Sequence, residues 1–345
     1  GDVGDDVLFD FLGSMRSLDD WQGAAERLMA GAAAAFQAER AGLNQSAEIA
    51  GLRRLSYMCN LAHWGILPLN DIKRRAYTRS RDYYLEAERL AFGDRFARLE
   101  ISWQGASFPA NLHLPEAARA PLVVLVHGID GCKEEHLATE LALVAAGMAV
   151  LGFDGPGQAE AFLLRGVLWS EKFPGVISAA IDAVAARGDV DCAAVGVMGM
   201  SIGATWALIA ASQDARIKAV YDLGAPINTE AFTRVPFIIK SKVCQITGAR
   251  TDAEIRAVLA LIKIDVPEVL GAIGAAVRVV HGTKDRVVSL ADKQWMAAEL
   301  RRLGAVAEVS ERVFDGADHC CTGHIPEVRL DMAAFFSRVL LPAGR

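Results

Sequence analysis

Short, almost wholly apolar runs that alternate with helical segments constrain the fold of this chain more than any other feature. Runs such as PLVVLVHG and AAVGVMGM are typical of strands buried on both faces of a sheet. Between them lie segments with helical periodicity, such as KEEHLATELALVAAG, which ends at Gly147. This alternation predicts an α/β fold with a doubly wound, mostly parallel sheet, preceded by an antiparallel pair of strands in FARLEISWQG and ASFPANLHLP. Ligands of such sheets bind at the carboxyl ends of the strands.

Changes of pattern along the chain divide it into four parts. Before about residue 96, segments rich in Ala and Leu repeat apolar residues every three or four positions, which predicts helices. A second helical stretch interrupts the strand–helix alternation, and an insertion at that point would cover the crevice as a cap. We predict an N-terminal helical lid domain, a first part of the core, a helical cap insertion and a second part of the core at residues 1–95, 96–225, 226–272 and 273–345.

The bulk composition bounds the partners and the compartment. Hydrophobic residues make up 52% of the 345 residues, which suffices for a large buried core. The net charge of -6 argues against a nucleic-acid partner, because phosphate binding needs a basic face. No membrane span is expected, and the acidic start of the chain is unlike a secretory signal, so we expect a cytoplasmic protein. The basic cluster Lys73, Arg74 and Arg75 is interpreted as a solvated helix face, with a ligand-binding role as the alternative.

The motif Gly199-Met200-Ser201-Ile202-Gly203 stands directly between a predicted buried strand and a predicted helix. A serine in a tight strand-to-helix turn needs small neighbours, because larger side chains would collide with the adjoining strand and helix. Such a turn lifts the serine hydroxyl out of the edge of the sheet. We therefore predict that Ser201 is a catalytic nucleophile, with a purely structural turn as the alternative.

A serine nucleophile of this kind is followed along the chain by an acid and then by a histidine. Asp285 ends the strand segment VRVVHGTKD and is the predicted acid, which would orient the base and stabilise its charged form. His319, in the loop FDGADHCCTGH, is the predicted base. His324 competes with it but falls inside a final helix that we expect to begin near Thr322. His281 is interpreted as a core histidine.

Two backbone amides are the expected donors to the developing oxyanion. One is the amide of Ile202 at the start of the helix, and the other is assigned to Ile129 in the loop HGIDG, where a neighbouring residue stays an alternative. The six cysteines contain no CxxC pair and are expected to be reduced thiols. Cys320 and Cys321 are expected to pack beneath the histidine loop, with a metal ligand or a cysteine nucleophile as the alternatives.

With these residues placed, the chain resembles the 2,6-dihydroxypseudooxynicotine hydrolase group of the α/β-hydrolase superfamily over most of its length. The resemblance is carried by the helical block before the sheet, KEE after the oxyanion loop, FDGPGQ, the GxSxG elbow, HGxxD, and DGADHCC before a charged helix. Of these motifs, FDGPGQ and DHCC are more specific than the elbow. His127 departs from the pattern of the group, which leaves open which amide is the second oxyanion donor.

The resemblance implies an α/β-hydrolase fold and hydrolysis of a carbon–carbon bond next to a ketone carbonyl, through an acyl-enzyme. It also implies a homodimer whose N-terminal helices help to enclose the site, and it implies neither a metal nor an organic cofactor. The group carries an acidic residue on the cap side, which Glu230 matches best. Asp222 is the weaker match because it lies within a strand, and a solvated acid is the alternative for Glu230.

The substrate is expected to be a small molecule, and four aromatic residues are candidates for its binding wall, with burial in the core as the alternative: Phe153, Trp169, Phe232 and Phe237. Relatives in the wider group shorten polyketides or cleave esters, so the motifs leave the reaction open. A carboxylesterase or thioesterase acting on small acyl substrates is the second enzymatic reading. A non-catalytic binding protein is the alternative of another class, because this fold also serves as a scaffold.

Overall fold

The computed structural model describes residues 5–228 and 235–341. Within these residues one eight-stranded sheet has the strand order β1-β2-β4-β3-β5-β6-β7-β8. The strands are β1 (Phe96–Trp103), β2 (Ala106–His113), β3 (Pro121–Val126), β4 (Ala149–Phe153), β5 (Asp191–Met200), β6 (Ile217–Leu223), β7 (Ala276–Gly282) and β8 (Glu308–Phe314). Strand β2 pairs antiparallel with β1 and β4, and all other neighbours are parallel. The predicted mostly parallel sheet and its antiparallel leading pair are confirmed.

Four helices precede the sheet: α1 (Asp5–Gly13), α2 (Trp21–Glu39), α3 (Gln45–Gly65) and α4 (Asp71–Phe92). The side chain of Asn44 caps α3 by accepting a hydrogen bond from the amide of Ala47 at 2.9 Å. Helices α2 and α3 meet at Gly65, where an added Cβ would lie 2.0 Å from the ring of Trp21. The indole of Trp21 donates to the carbonyl of Ala62 at 3.0 Å, so this ring is both packed and hydrogen-bonded.

The remaining helices flank the sheet or lie in the insertion between β6 and β7. Those along the sheet are α5 (Leu137–Ala145), α6 (Ala159–Leu163), α7 (Phe173–Ala185), α8 (Ile202–Gln213), α12 (Leu290–Leu303) and α13 (Ile325–Leu340). The insertion contains α9 (Phe237–Thr247), α10 (Asp252–Leu259) and α11 (Pro267–Leu270). In the ranges that the structure describes, none of the helices combines the length and apolarity needed to cross a membrane.

The final helix begins later than the sequence indicated. Helix α13 starts at Ile325 instead of near Thr322, after a short 3-10 stretch that includes His319. Cys320 and Cys321 have φ angles of 58° and 52°, in the left-handed region, so the backbone cannot be α-helical through them. The expectation that His324 lies within this helix was wrong, because His324 is the residue before its first turn.

Buried polar contacts join the N-terminal helices to the sheet. The hydroxyl of Tyr84 on α4 donates to Glu140 on α5 at 2.6 Å, and both side chains are buried. Lys73, also on α4, is only 6% exposed and donates to the carbonyls of His63 and Ile66 at 3.0 and 2.6 Å. The prediction of a solvated basic face was therefore wrong for Lys73, although Arg75 is exposed.

Candidate active site

Ser201 lies in a sharp turn between the end of β5 and the first residue of α8. Its φ and ψ angles are 52° and −127°, a conformation that non-glycine residues rarely adopt. The flanking glycines explain how the turn fits. A Cβ on Gly199 would lie 2.2 Å from the Cα of Ala204, and a Cβ on Gly203 would lie 2.2 Å from the carbonyl oxygen of Val126. The strand, the turn and the helix can therefore pack this closely only with glycine at both positions.

Ser201, His319 and Asp285 form a continuous chain of hydrogen bonds. The Nε2 atom of His319 lies 2.9 Å from Oγ of Ser201, and its Nδ1 atom lies 2.8 Å from Oδ2 of Asp285. The three residues follow β5, β7 and β8, so the carboxyl ends of these parallel strands bring them to one edge of the sheet. In this geometry the histidine can accept the serine proton while the carboxylate orients the ring.

The surroundings of Asp285 favour its ionised form. Its side chain is fully buried, and burial alone would raise the pKa. The hydrogen bond with His319 and the amides of Val287 and Val288, which donate to Oδ1 at 2.8 and 2.9 Å, outweigh burial and hold the pKa below its usual value. Asp285 therefore remains a carboxylate that can stabilise an imidazolium.

His319 has a raised pKa. Burial disfavours its charged form, but the neighbouring Cys320 sulfur and the hydrogen bond with Asp285 outweigh burial. The side chain keeps 26% of its surface exposed, which leaves a route to the reacting groups. Only the neutral imidazole can act as a base, so the raised pKa of His319 shifts the pH range in which it is active upward.

The loop that carries His319 is held by local contacts. Asp318 accepts hydrogen bonds from the amide and hydroxyl of Thr322 at 2.9 and 2.6 Å. Gly282 lies so near that an added Cβ would be 2.3 Å from the carbonyl oxygen of Ala317. This contact explains why glycine stands in the HGxxD motif, since a side chain there would displace the histidine loop.

Cys320 and Cys321 are buried in an apolar cluster beneath this loop, with Phe314 and Met332 among its members. Both are free thiols, and the Cys320 sulfur lies 3.4 Å from the carbonyl oxygen of Leu223. Burial raises the pKa of the Cys321 thiol to about 12, which disfavours the thiolate. The structure thus gives these side chains the packing position expected from the sequence.

The two other histidines considered for the base lie elsewhere. The ring of His324 packs on Phe314 with ring centroids 5.4 Å apart. His281 is buried at the end of β7, where Nε2 lies 3.1 Å from the carbonyl oxygen of Val288 and Nδ1 lies 3.7 Å from Asp285. Within the described residues neither ring forms a hydrogen bond with Ser201.

The amides of Ile129 and Ile202 are the predicted oxyanion donors. Ile202 is the first residue of α8, so its N–H has no acceptor within the helix. In the described part of the chain the amide of Ile129 also has no hydrogen-bond acceptor. A Cβ on the preceding Gly128 would lie 3.7 Å from the Cβ of Ser201, which places this loop directly beside the nucleophile.

The segment FDGPGQ holds the oxyanion loop in place. The sequence alone did not predict this role. The side-chain amide of Gln158 donates to the carbonyls of His127 and Gly128, at 3.0 Å each. Asp154 lies 3.0 Å from Nε2 of His127. These side chains anchor His127 and the carbonyl groups of the loop.

Beneath this loop, Lys133 joins three acidic side chains in the interior. Its ammonium lies 2.8, 2.7 and 2.9 Å from carboxylate oxygens of Glu134, Asp154 and Glu160. The three carboxylates alone have the spacing of a metal site, but the ammonium occupies the space between them. Burial alone would lower the pKa of Lys133, and the carboxylates outweigh it and raise the pKa. The hydroxyl of Tyr77 on α4 donates to Asp154 at 3.1 Å, which links this cluster to the N-terminal helices.

We predict that Lys133→Met lowers the free energy of unfolding by about 3–5 kcal/mol, because it leaves buried carboxylates without their cation. Thermal unfolding followed by circular dichroism measures the loss. Lys172→Met, at an exposed lysine, is the matched control and should change stability little. An unchanged melting temperature for Lys133→Met would show that the carboxylates are neutralised in another way.

Of the residues considered for substrate binding, Phe153 and Phe237 are poorly placed. Phe153 is completely buried, and its ring packs against Phe173 with centroids 5.8 Å apart. It has no surface to offer a substrate and belongs to the core. Phe237 begins α9 and is 74% exposed, so it forms no part of an enclosed wall in this structure.

Trp169 is buried beside helix α9 and the FDGPGQ segment. Its amide donates to the carbonyl of Ile246 on α9 at 2.9 Å, and its Cβ would be 2.9 Å from a Cβ on Gly157. Asp222 is buried in β6 and ion-paired with Lys293, so its charge is already neutralised. Glu230 and Phe232 fall outside the described residues.

Comparisons with known proteins place the chain among the hydrolases. Residues 136–342 match the model of the prolyl oligopeptidase family. The chain is 30% identical over 290 residues to 2,6-dihydropseudooxynicotine hydrolase of Paenarthrobacter nicotinovorans, covering 80% of this chain and 73% of that protein. Its fold is similar to the crystal structure of 2,6-dihydroxy-pseudo-oxynicotine hydrolase, with a TM-score of 0.78 and 23% identity over 95% of this chain and 90% of that one.

A second solved structure, AbyA5, has a TM-score of 0.73 and 21% identity over 93% of this chain and 88% of that one. Both structural matches include the N-terminal helices as well as the sheet, because they span nearly the whole chain. The expected α/β-hydrolase fold is confirmed. The chain belongs to the prolyl oligopeptidase family of α/β-hydrolases and is a hydrolase.

Proposed function

We propose that this protein is a serine hydrolase that cleaves a carbon–carbon bond next to a ketone carbonyl of a small molecule, through an acyl-enzyme on Ser201. The hydrogen-bonded chain from Ser201 through His319 to Asp285 is the observation that carries the proposal. The amides of Ile129 and Ile202, which have no acceptor within the described residues, support the proposal as donors to an oxyanion. The homodimer implied by the family resemblance stays a prediction.

The proposed reaction uses these residues in the following order. Ser201 attacks the carbonyl carbon while His319 removes its proton, and the amides of Ile129 and Ile202 bind the resulting oxyanion. Collapse of the tetrahedral intermediate breaks the bond to the leaving carbon, which receives the proton from His319. Water, deprotonated by His319, then attacks the acyl-enzyme and releases a carboxylic acid and the free serine.

The relationship to 2,6-dihydropseudooxynicotine hydrolase favours a carbon leaving group. Such a group departs only if it can accept a proton or delocalise charge, as an electron-rich hydroxylated ring does. The alternative is a carboxylesterase or thioesterase, because the same serine, histidine and amides would also cleave an activated ester.

An assay of the purified protein on two substrates separates these functions. We expect turnover of an acylated polyhydroxyarene, such as a 2,6-dihydroxyphenyl ketone, to give the carboxylic acid and the free arene, detected by chromatography. Fast release of p-nitrophenol from p-nitrophenyl acetate with no cleavage of the ketone would reject the carbon–carbon reaction and support the esterase.

Labelling with a fluorophosphonate distinguishes the two enzymatic functions from that of a non-catalytic binding protein. An activated serine is expected to form a stable covalent adduct, which mass spectrometry of a tryptic digest would place on the peptide containing Ser201. Absence of an adduct on a correctly folded sample would remove the catalytic proposal.

A further inference from the structure

A cavity beside the oxyanion loop is lined by four parts of the chain that are separate in sequence. The N-terminal helices contribute one wall, the loop after β3 the second, the segment from Gly157 to Leu163 the third, and helix α9 of the insertion the fourth. The lining residues used below are His63, Trp64, Lys73, Ile129, Asp130 and Lys242.

One residue that lines the cavity, Ile129, lies close to the proposed nucleophile. Ile129 directly follows Gly128, whose added Cβ would lie 3.7 Å from the Cβ of Ser201. Since successive Cα atoms are about 3.8 Å apart, the Cα of Ile129 lies within about 9 Å of the serine. The proposal below therefore requires a substrate that is long enough to extend from Ser201 past Ile129.

Two buried ammonium groups face this space. Lys73 and Lys242 are 6% and 7% exposed. The ammonium of Lys73 donates to two backbone carbonyls, those of His63 and Ile66, and to no carboxylate within the described residues. The ammonium of Lys242 lies 3.7 Å from the centroid of the Trp64 ring and 3.3 Å from Oδ2 of Asp130.

Among the described lining residues the basic side chains outnumber the acidic ones. Asp130 is the only carboxylate of this described set, and its Oδ2 atom also accepts a hydrogen bond from the indole of Trp64 at 3.0 Å. Burial, with the two lysines, lowers the pKa of His63 to about 3, so its ring is neutral. Burial and Lys242 lower the pKa of Lys73 to about 7, and burial lowers that of Lys242. The carboxylate of Glu135, which does not line the cavity, also acts on Lys242 and on His63. An anion bound between the two lysines would favour the charged forms of both ammonium groups, which burial disfavours.

We propose that the natural substrate carries a carboxylate, which binds between Lys73 and Lys242 while the scissile carbonyl lies against Ser201. The proposal rests on the serine hydrolase function and adds the class of substrate. It also gives a binding role to Lys73, which the sequence pattern predicted to lie on a solvated helix face. Neutral acyl compounds would enter the same cavity but leave the two ammoniums under-compensated.

Two pairs of esters test the proposal. In one pair the carboxylate is in the acyl group, and in the other it is in the leaving group. Mono-p-nitrophenyl adipate is compared with its neutral methyl ester, and 4-carboxyphenyl hexanoate with its neutral methyl ester. In at least one pair we expect kcat/KM to be about 10- to 100-fold higher for the anion, as for one charge-assisted contact. If turnover is slow, protection of Ser201 from fluorophosphonate labelling by the same compounds gives the same comparison.

Variants of Lys73 and Lys242 test whether the preference for the anionic ester arises in the cavity. In Lys242→Met the ratio of kcat/KM for the anionic and neutral esters is expected to fall close to one, and in Lys73→Met to fall as well. Lys240→Met is the matched control: this lysine lies on the same helix α9 but is ion-paired with Asp252 outside the cavity. A merely structural role of Lys242 would lower kcat/KM for both esters and leave their ratio unchanged.

Equal kcat/KM values within both pairs, or a preference retained in Lys242→Met, would overturn the carboxylate proposal. The serine hydrolase function would survive either result, since it is tested separately by labelling of Ser201. Absence of both labelling and ester turnover would instead remove the function on which the proposal rests.

Discussion

Replacing Ser201 with alanine is expected to lower kcat by about 10⁶-fold, the size of loss seen when a serine protease loses its nucleophile. The expectation follows from the 2.9 Å contact between Ser201 and His319, which the variant removes. Steady-state turnover of the best substrate, with enzyme at high concentration, measures the change. Fluorophosphonate labelling should disappear in parallel.

Ser212→Ala is the control for this experiment. Ser212 lies on the same helix α8 but bonds the backbone carbonyl of Ile209, away from the histidine. It should keep both turnover and labelling. Labelling that persists in Ser201→Ala, or a loss of only a few fold, would assign the reaction to another residue.

Asp285→Asn is expected to lower kcat by about 10⁴-fold, because an amide cannot hold the imidazole in the same tautomer or stabilise its charge. The side chain keeps its size, and its carbonyl oxygen can still accept hydrogen bonds from the amides of Val287 and Val288. Asp189→Asn, in an exposed ion pair with Arg187, is the control. Wild-type turnover by Asp285→Asn would show that the carboxylate does not assist the base.

The same variant has a consequence for pH dependence. Only neutral His319 can act as the base, and its pKa is raised above the ordinary 6.5. We expect kcat/KM of the wild type to rise with pH through a midpoint above 6.5, as the imidazolium loses its proton. Asp285→Asn removes a contact that favours the charged ring, so the midpoint should move to lower pH while the maximum falls. A midpoint that does not move would separate the titrating group from Asp285.

The sheet and the three residues of this chain of hydrogen bonds could be predicted because each is encoded by a short stretch of sequence. Apolar runs such as that of β3 reflect burial on both faces, and Gly199 and Gly203 reflect close contacts that any larger residue would prevent. Strand ends then place Asp285 and His319 near Ser201, since parallel strands share one edge.

Features that depend on contacts between distant segments could not be predicted in this way. Lys133 looks like an ordinary charged residue at the start of a helix. Two of its three carboxylate partners, Asp154 and Glu160, come near it only when β4 and α6 lie beside it. Lys73 stands in a basic triplet typical of a solvated face, yet the fold turns it inward under the end of α3. The late start of α13 depends on two left-handed cysteines that nothing in their residue type indicates.

The N-terminal helices form one wall of the cavity beside the oxyanion loop, and helix α9 of the insertion forms another. These two walls also contact each other directly. Gln245 of α9 donates to the carbonyl of Leu67 at 2.6 Å, and Lys242 lies over the ring of Trp64. A chimaera that receives only the N-terminal helices of a homologue would therefore lose the fit between donor and recipient surfaces. To transfer the substrate selectivity expected of this cavity to another protein of this fold, the N-terminal helices and the insertion would have to be transferred together.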